Sequence, residues 1–122
     1  PDRVKRLGYV ADRDVPPLLR QAAAVVYPSL EEGFGLPALE SLACGAPTVT
    51  TRGSAMEEFA DGAALLFDPG DDATLAELIH QLVLGDPTIE GRRSAGFEAA
   101  SSHTWEASAE RHVEAYRLAA GR

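Results

Sequence analysis

The sequence predicts an α/β fold in which a parallel sheet is covered by helices on both faces. Three observations support this class. Short apolar runs alternate with helical patterns along the chain. Most of these runs are apolar throughout, which is typical of strands buried on both faces. Turn-forming residues, such as Pro28 or Asp68, end the runs. The expected fold is therefore Rossmann-like.

The first part of the chain predicts a strand, a helix and a second strand. Apolar and polar residues alternate over Val4–Val10, which is typical of a short strand. Asp14 is placed to cap a helix through Pro16–Ala22, because proline is tolerated in the first turn of a helix. The continuous apolar run Ala23–Tyr27 predicts a strand buried on both faces that ends at Pro28.

The middle of the chain continues the alternation. A helix is predicted after Pro37 and ends at Gly45, and the β-branched run Ala46–Thr51 follows as a strand. A short helix capped by Ser54 comes next, and Ala63–Phe67 predicts a further strand. The carboxyl ends of parallel strands lie at one edge of the sheet, where such folds bind ligands.

The last third of the chain is predicted to be helical. Three helices are expected, over about residues 71–84, 87–102 and 105–120. Asp71 or Asp72 can cap the first of them, and Gly85 ends it. Trp105 is expected to anchor the last helix in the core.

The predicted elements fall short of a complete doubly wound domain. Only four strands are predicted, no strand separates the last two helices, and the chain begins at Pro1 instead of Met. We therefore expect residues 1–122 to form a single partial domain, the later part of a larger unit.

Composition argues against several classes of function. The 122 residues carry a net charge of −8, so electrostatics alone does not draw the chain to nucleic acid or to an anionic membrane. No apolar stretch is long enough to span a membrane. Because Cys44 is the single cysteine, a reducing, cytoplasmic compartment is expected, with peripheral membrane association of a longer parent left open. The histidines lack metal-ligand spacing, and no metal site is predicted.

The segment Glu31–Glu40 ("EEGFGLPALE") follows a predicted strand and opens a helix. Its two glycines let a ligand approach the main chain, and the amides at the start of the helix suit a diphosphate. Glu40 is placed to accept hydrogen bonds from paired hydroxyls, such as those of a ribose. The residues equally fit an ordinary capped helix, in which Glu40 only favours the helix dipole and Glu32 is solvated. Local physics leaves both interpretations open.

A longer segment around these glutamates resembles a known family. Tyr27–Val49 ("YPSLEEGFGLPALESLACGAPTV") is similar to the central signature of glycosyltransferase family 4, the glycosyl transferases group 1. The match comprises Pro-Ser, the E-x7-E pair Glu32 and Glu40, and an Ala-Cys-Gly-x-Pro turn. Ser54–Pro69 and His103–Tyr116 resemble later segments of the family. The first strand–helix–strand also matches, so the resemblance covers essentially the whole chain.

The resemblance implies a fold and an activity. The fold is GT-B, in which two Rossmann-like domains face a cleft, and this chain would be the later part of the C-terminal, donor-binding domain. The activity is a hexosyltransferase reaction that moves a sugar from a nucleotide-sugar donor to an acceptor, with retention of anomeric configuration. The resemblance implies no metal and no other cofactor.

The resemblance also implies roles for individual residues. Glu32 would contact hydroxyls of the transferred sugar and is the candidate catalytic residue. Glu40 would bind the ribose diol, and Glu57 would have a supporting role. The other candidates for substrate binding contribute mainly main-chain contacts, to the sugar and diphosphate or to the base: Gly33, Phe34, Gly35, Leu36, Tyr9 and Val10.

Two parts of the family's machinery are not expected in this chain. The Arg/Lys pair for the donor diphosphate lies upstream of a strand like Val4–Val10, and the N-terminal domain is expected to bind the acceptor. The isolated chain is therefore expected to be inactive, whereas its parent transfers sugar. Two alternatives stay open: a non-catalytic α/β nucleotide-binding or regulatory module, and another GT-B enzyme such as a phosphorylase or epimerase.

Overall fold

The computed structural model describes residues 3–121 and has a parallel sheet at its centre. The sheet has three strands in the order β1-β2-β3: β1 (Val25–Tyr27), β2 (Thr48–Thr51) and β3 (Leu65–Phe67). Val49 of the central strand lies beside Val26 on one side and Leu65 on the other. The carboxyl ends of all three strands therefore lie at one edge, as the predicted α/β class requires.

One helix precedes the first strand, one follows each strand, and two more complete the described part of the chain. They are α1 (Val15–Gln21), α2 (Leu36–Ala43), α3 (Glu57–Ala60), α4 (Asp72–Leu84), α5 (Ile89–Ser102) and α6 (Trp105–Ala119). The three predicted C-terminal helices are present within two residues of their expected bounds. In the part of the chain that the structure describes, no helix combines the length and the apolar character needed to cross a membrane.

Helix ends follow local chemistry at most of the predicted positions. The Asp71 carboxylate accepts a hydrogen bond from the Thr74 amide at 3.0 Å and so caps α4. Gly85 ends that helix in the left-handed conformation (φ 97°), which suits glycine because it has no Cβ. Asp14 stands at the N-cap position of α1, but its side chain makes no capping hydrogen bond. The predicted cap Ser54 is wrong, since Met56 is the N-cap residue of α3.

Two apolar clusters pack on opposite faces of the sheet. One lies under α2, α3 and α5 and consists of Ala38, Leu39, Leu42, Met56, Phe59, Ala60, Ala63 and Ala64. The other lies under α4 and consists of Val49, Leu65, Phe67 and Leu82. Tyr27 and Leu66 pack against the first cluster, whereas Val26 packs against the second. Successive strand residues thus face opposite clusters, because the side-chain period of a strand is two.

The strand predicted at Val4–Val10 is absent, and β1 is less buried than expected. Residues 4–10 form no strand, and Val4 and Tyr9 are 78% and 90% exposed. Alternation predicts a strand only where a neighbouring strand can pair with it, and within residues 3–121 β1 pairs with β2 alone. β1 is therefore one of the two edge strands of the described sheet and is only half-buried.

The expectation that Trp105 anchors α6 in the core is wrong. Its side chain is 76% exposed, and no residue of α6 is buried. The reason is that α5 already covers α2 and leaves α6 no uncovered surface there. The two helices are so close that a Cβ added to Gly96 would lie only 3.3 Å from Cβ of Leu42. An apolar helix face predicts burial only if a partner surface remains uncovered.

Candidate functional site

The segment that joins β1 to α2 lies at the carboxyl edge of the sheet, and its residues Glu31–Leu36 are called the glycine turn below. Gly35 is the N-cap residue of α2 and is buried in a left-handed conformation with φ 90°. A Cβ added here would overlap Cγ of Met56 and lie 2.7 Å from its Sδ. Only glycine fits between the start of the helix and the buried Met56. The Met56 side chain therefore sets how closely the turn approaches the core.

Glu32 is held in place by a tyrosine that precedes the turn. The Tyr27 hydroxyl donates to Oε1 of Glu32 at 2.6 Å, and both side chains are half-buried. This hydrogen bond, with a smaller contribution from Ser29, lowers the pKa of Glu32 below its ordinary value. The same bond raises the pKa of Tyr27. Glu32 is therefore a carboxylate and Tyr27 a neutral phenol at neutral pH.

Threonines of the central strand fix the main chain on either side of Pro28. The Thr50 hydroxyl donates to the carbonyl oxygen of Tyr27 at 3.0 Å. The Thr51 hydroxyl donates to the carbonyl oxygen of Ser29. Both threonines are fully buried, so their hydrogen bonds do not compete with water. The start of the glycine turn is thus tied to β2 by side chains as well as by the sheet.

Phe34 closes the turn against an aromatic group. Its ring centroid lies 5.1 Å from that of Phe59 and 5.7 Å from that of His103. Nδ1 of His103 lies 2.7 Å from the carbonyl oxygen of Ala99, which assigns the proton to this nitrogen. His103 thus joins the end of α5 to the glycine turn.

Glu40 lies on the exposed face of α2, at the wall of a cavity of about 600 Å³. The cavity separates α2 from the junction of α5 and α6. Phe34, Leu36 and Glu40 line one side, and Trp105 and Arg111 line the other. Three of the residues predicted to bind substrate are therefore brought together in one space.

Tyr9 and Val10 lie elsewhere, in a second and more open cleft of about 410 Å³. Leu7, Pro17 and Leu18 complete much of its wall. The structure thus places the two residues expected near the base beside α1, apart from the cavity that contains Glu40. Their assignment to the base stays a prediction.

Glu57, for which a supporting role was expected, closes the loop after β2. Its Oε2 accepts a hydrogen bond from the Gly53 amide at 2.7 Å, and its Oε1 lies 3.7 Å from Nη1 of Arg52. Arg52 also lies 3.3 Å from a carboxylate oxygen of Asp68. Within residues 3–121, no group of three or more His, Cys, Asp or Glu side chains is arranged to hold a metal ion.

Sequence reasoning did not identify Tyr27, Met56 or His103 as parts of this site. Tyr27 had one detectable signal, since a polar aromatic residue ended the strand that leads into the glycine turn. The other two carried no signal, because each reaches the turn from a different element of the fold.

Comparison with known proteins places this geometry in a family. The family model "Glycosyl transferases group 1" matches residues 1–84 of the 122-residue chain. The chain belongs to the group 1 glycosyltransferase family. Among curated members, this glycosyltransferase chain is 36% identical over 115 residues to the O-antigen chain mannosyltransferase B of Escherichia coli, covering 94% of this chain and 30% of that protein.

Solved structures of similar shape agree with the family. Sucrose-phosphate synthase from Thermosynechococcus elongatus matches with a TM-score of 0.84 and 28% identity, over 99% of this chain and 31% of that one. HepE of Anabaena, solved in complex with UDP, matches with a TM-score of 0.77 and 25% identity, over 98% and 33%. The predicted α/β fold is thereby confirmed, as is its match to domains of GT-B glycosyltransferases. The chain spans less than a third of the length of the first curated relatives it matches.

Proposed function

We propose that this chain is the donor-binding part of a retaining glycosyltransferase, which transfers a hexose from a nucleotide-sugar to an acceptor. One observation carries the proposal. In a chain of this family, the glycine turn lies at the carboxyl edge of a parallel sheet, with Glu32 at its start and Glu40 just beyond its end. Ligands of open α/β sheets bind at that edge.

The two glutamates have separate tasks in this proposal. The held carboxylate of Glu32 accepts hydrogen bonds from hydroxyls of the transferred sugar, and Glu40 accepts them from the ribose diol. Between them, the main chain of Gly33–Leu36 approaches the sugar and the diphosphate, where the dipole of α2 favours negative charge. A nucleotide-sugar has this order of hydroxyls, phosphates and hydroxyls, and HepE, of similar fold, was solved with UDP.

Catalysis in the parent protein would depend on positioning and on stabilising the departing diphosphate. The acceptor site and the cations for the diphosphate are assigned to the rest of a longer protein, since this chain covers 30% of the mannosyltransferase relative. The proposal includes retention of configuration at the anomeric carbon and needs no metal ion.

The full-length protein tests the proposal directly. Its thermal unfolding is followed with a panel of GDP-mannose, UDP-glucose and UDP-N-acetylglucosamine, and transfer is measured with the donor that stabilises it. We expect one donor to raise the melting temperature and to give a product of unchanged anomeric configuration by NMR, at a rate that EDTA does not alter. Stabilisation without transfer to any acceptor or to water would favour a binding module, and sugar-1-phosphate formed with inorganic phosphate would favour a phosphorylase.

Glu40→Ala tests the ribose contact. Removing a charge-assisted hydrogen bond costs about 1.5–3 kcal/mol, so the affinity for both the nucleotide-sugar and its nucleoside diphosphate should fall by about tenfold or more. The matched control is Glu77→Ala, which removes another exposed glutamate, from α4. Calorimetric titration of the full-length variants measures the effect. Equal affinities of wild type and Glu40→Ala would refute the ribose assignment.

A further inference from the structure

We propose that Tyr27 is a positioning residue for sugar recognition: its hydroxyl orients the Glu32 carboxylate toward the transferred sugar. The inference rests on the proposed function and adds to it a residue outside the E-x7-E pair. Tyr27 itself need not touch the ligand, because it acts through the glutamate.

The geometry of the bond supports this role. The Tyr27 hydroxyl donates to Oε1 of Glu32 at 2.6 Å, a short distance that is typical of a hydroxyl bound to a charged carboxylate. A carboxylate has about four lone-pair sites, and the phenol occupies one of them. Even with the smaller contribution of Ser29, sites remain for sugar hydroxyls. The lowered pKa of Glu32 agrees with a carboxylate that is kept charged and ready to accept them.

The phenol is itself fixed by the fold. Tyr27 is the last residue of β1, its ring packs against the cluster under α2 and α3, and its carbonyl oxygen accepts the hydrogen bond from Thr50. The hydroxyl therefore has a defined position relative to the sheet. Glu32, in contrast, lies in a turn without regular secondary structure. Because Tyr27 is fixed by the sheet, its hydrogen bond restricts the position of the Glu32 carboxylate in the turn. This restriction reduces the entropy lost when a ligand binds.

A purely structural role would predict a different pattern from a positioning role. Tyr27→Phe keeps the ring that packs on the core and removes only the hydroxyl. If the hydroxyl acts through Glu32, its loss lowers the affinity for ligands that contact Glu32 and leaves the affinity for other ligands unchanged. A nucleotide-sugar has the transferred sugar, and the corresponding nucleoside diphosphate lacks it, so the two ligands separate these cases.

The experiment is a double-mutant cycle on donor affinity in the full-length protein. Wild type, Tyr27→Phe, Glu32→Ala and the double variant are titrated with the stabilising nucleotide-sugar and with its nucleoside diphosphate. We expect Tyr27→Phe to weaken nucleotide-sugar binding about fivefold or more in the wild-type background and less than about twofold in the Glu32→Ala background. Affinity for the nucleoside diphosphate should stay within about twofold throughout. Tyr116→Phe, at an exposed tyrosine of α6, is the matched control and should behave as wild type.

Three effects of Tyr27→Phe would overturn the inference. They are an equal loss of nucleotide-sugar affinity in both backgrounds, an accompanying loss of nucleoside diphosphate affinity, or no loss of nucleotide-sugar affinity at all. A second measurement separates it from the proposed function. The Glu32 carboxyl carbon is titrated by NMR in selectively ¹³C-labelled wild type and Tyr27→Phe. If no donor binds the wild type, the proposed function fails. The titration still tests the hydrogen bond between Tyr27 and Glu32. An unchanged pKa of Glu32 in Tyr27→Phe excludes the orienting bond, and a raised pKa supports it.

Discussion

Hydrogen bonds lower the pKa values of carboxylates in different structural settings of this chain. Asp86 is 4% exposed, and one of its oxygens accepts hydrogen bonds from the amide and the hydroxyl of Thr88, both at 2.7 Å. These bonds, with a smaller contribution from Arg92, lower the pKa of Asp86. Glu32 is half-buried and its pKa is lowered mainly by Tyr27. Asp86 thus stabilises the junction of α4 and α5, whereas Glu32 is held near the start of the glycine turn.

Replacing Asp86 by alanine should destabilise the fold by about 1–2 kcal/mol at neutral pH, since the loss resembles that of a helix cap. The folded pKa lies below the unfolded one, so the carboxylate contributes fully above the unfolded pKa of about 3.9 and loses this contribution as the pH falls through the folded value. Urea unfolding at pH 7 and in acid measures the effect. The gap between wild type and variant should shrink in acid, and a constant gap would contradict the assignment. Asp61→Ala, at an exposed aspartate, is the control.

At the scale of elements, α2 and the turn before it form one unit. The helix starts at a buried glycine in the left-handed conformation, and the side chain of Met56 fills the space where a Cβ would be. The shape of the turn therefore depends on a residue that precedes α3. This dependence predicts a sharp difference between the two glycines of the turn.

Gly35→Ala should destabilise the protein by at least about 1–2 kcal/mol, the cost of the left-handed conformation alone, with the overlap against Met56 added to it. Gly33→Ala is the matched control, because a Cβ there meets no atom within 4 Å. Chemical unfolding of both variants gives the comparison, and donor titration gives a second measurement. Equal stability of the two variants would mean that the turn is not held by Met56.

Elements were predictable from sequence where local chemistry decides them. α4 follows from a capping aspartate, an apolar stripe and a terminal glycine, all of which act within the helix. Residues 4–10 and α6 have patterns that look as regular, yet the first forms no strand and the second buries no residue. Both depend on partner surfaces, which a pattern in one segment does not specify.

For the molecule as a whole, the packing of α2 against α5 joins the site to the C-terminal half. Leu42 of α2 is 2% exposed and packs against α5 at Gly96, where the absence of a side chain leaves room for it. His103, at the end of α5, then reaches Phe34 in the glycine turn. The E-x7-E pair was visible in the sequence, but His103 was not identified because only the tertiary fold brings it to the turn. Tyr27 is only five residues before Glu32, and its one signal was a polar aromatic residue at the end of a strand.

Leu42→Ala should cost about 2–5 kcal/mol, because it leaves a cavity between two packed helices. This is a large part of the stability of a typical domain, so a single cooperative transition at much lower denaturant is expected. Leu84→Ala is the control of the same residue type, at a side chain that is 73% exposed. Circular dichroism during urea unfolding compares them. A loss below about 1 kcal/mol for Leu42→Ala would show that the helices close over the gap.

The threonine hydroxyls of β2 have a consequence for protein engineering. If the glycine turn binds the donor as proposed, an exchange of donor specificity with another glycosyltransferase has to move this turn. In this chain the loop is tied to Thr50 and Thr51 and rests on Met56, all of which come after α2 in the sequence. A transplanted segment that ends before residue 48 would lack Thr50, Thr51 and Met56, which hold the turn in place. The smallest portable module is therefore the continuous segment from β1 to Met56.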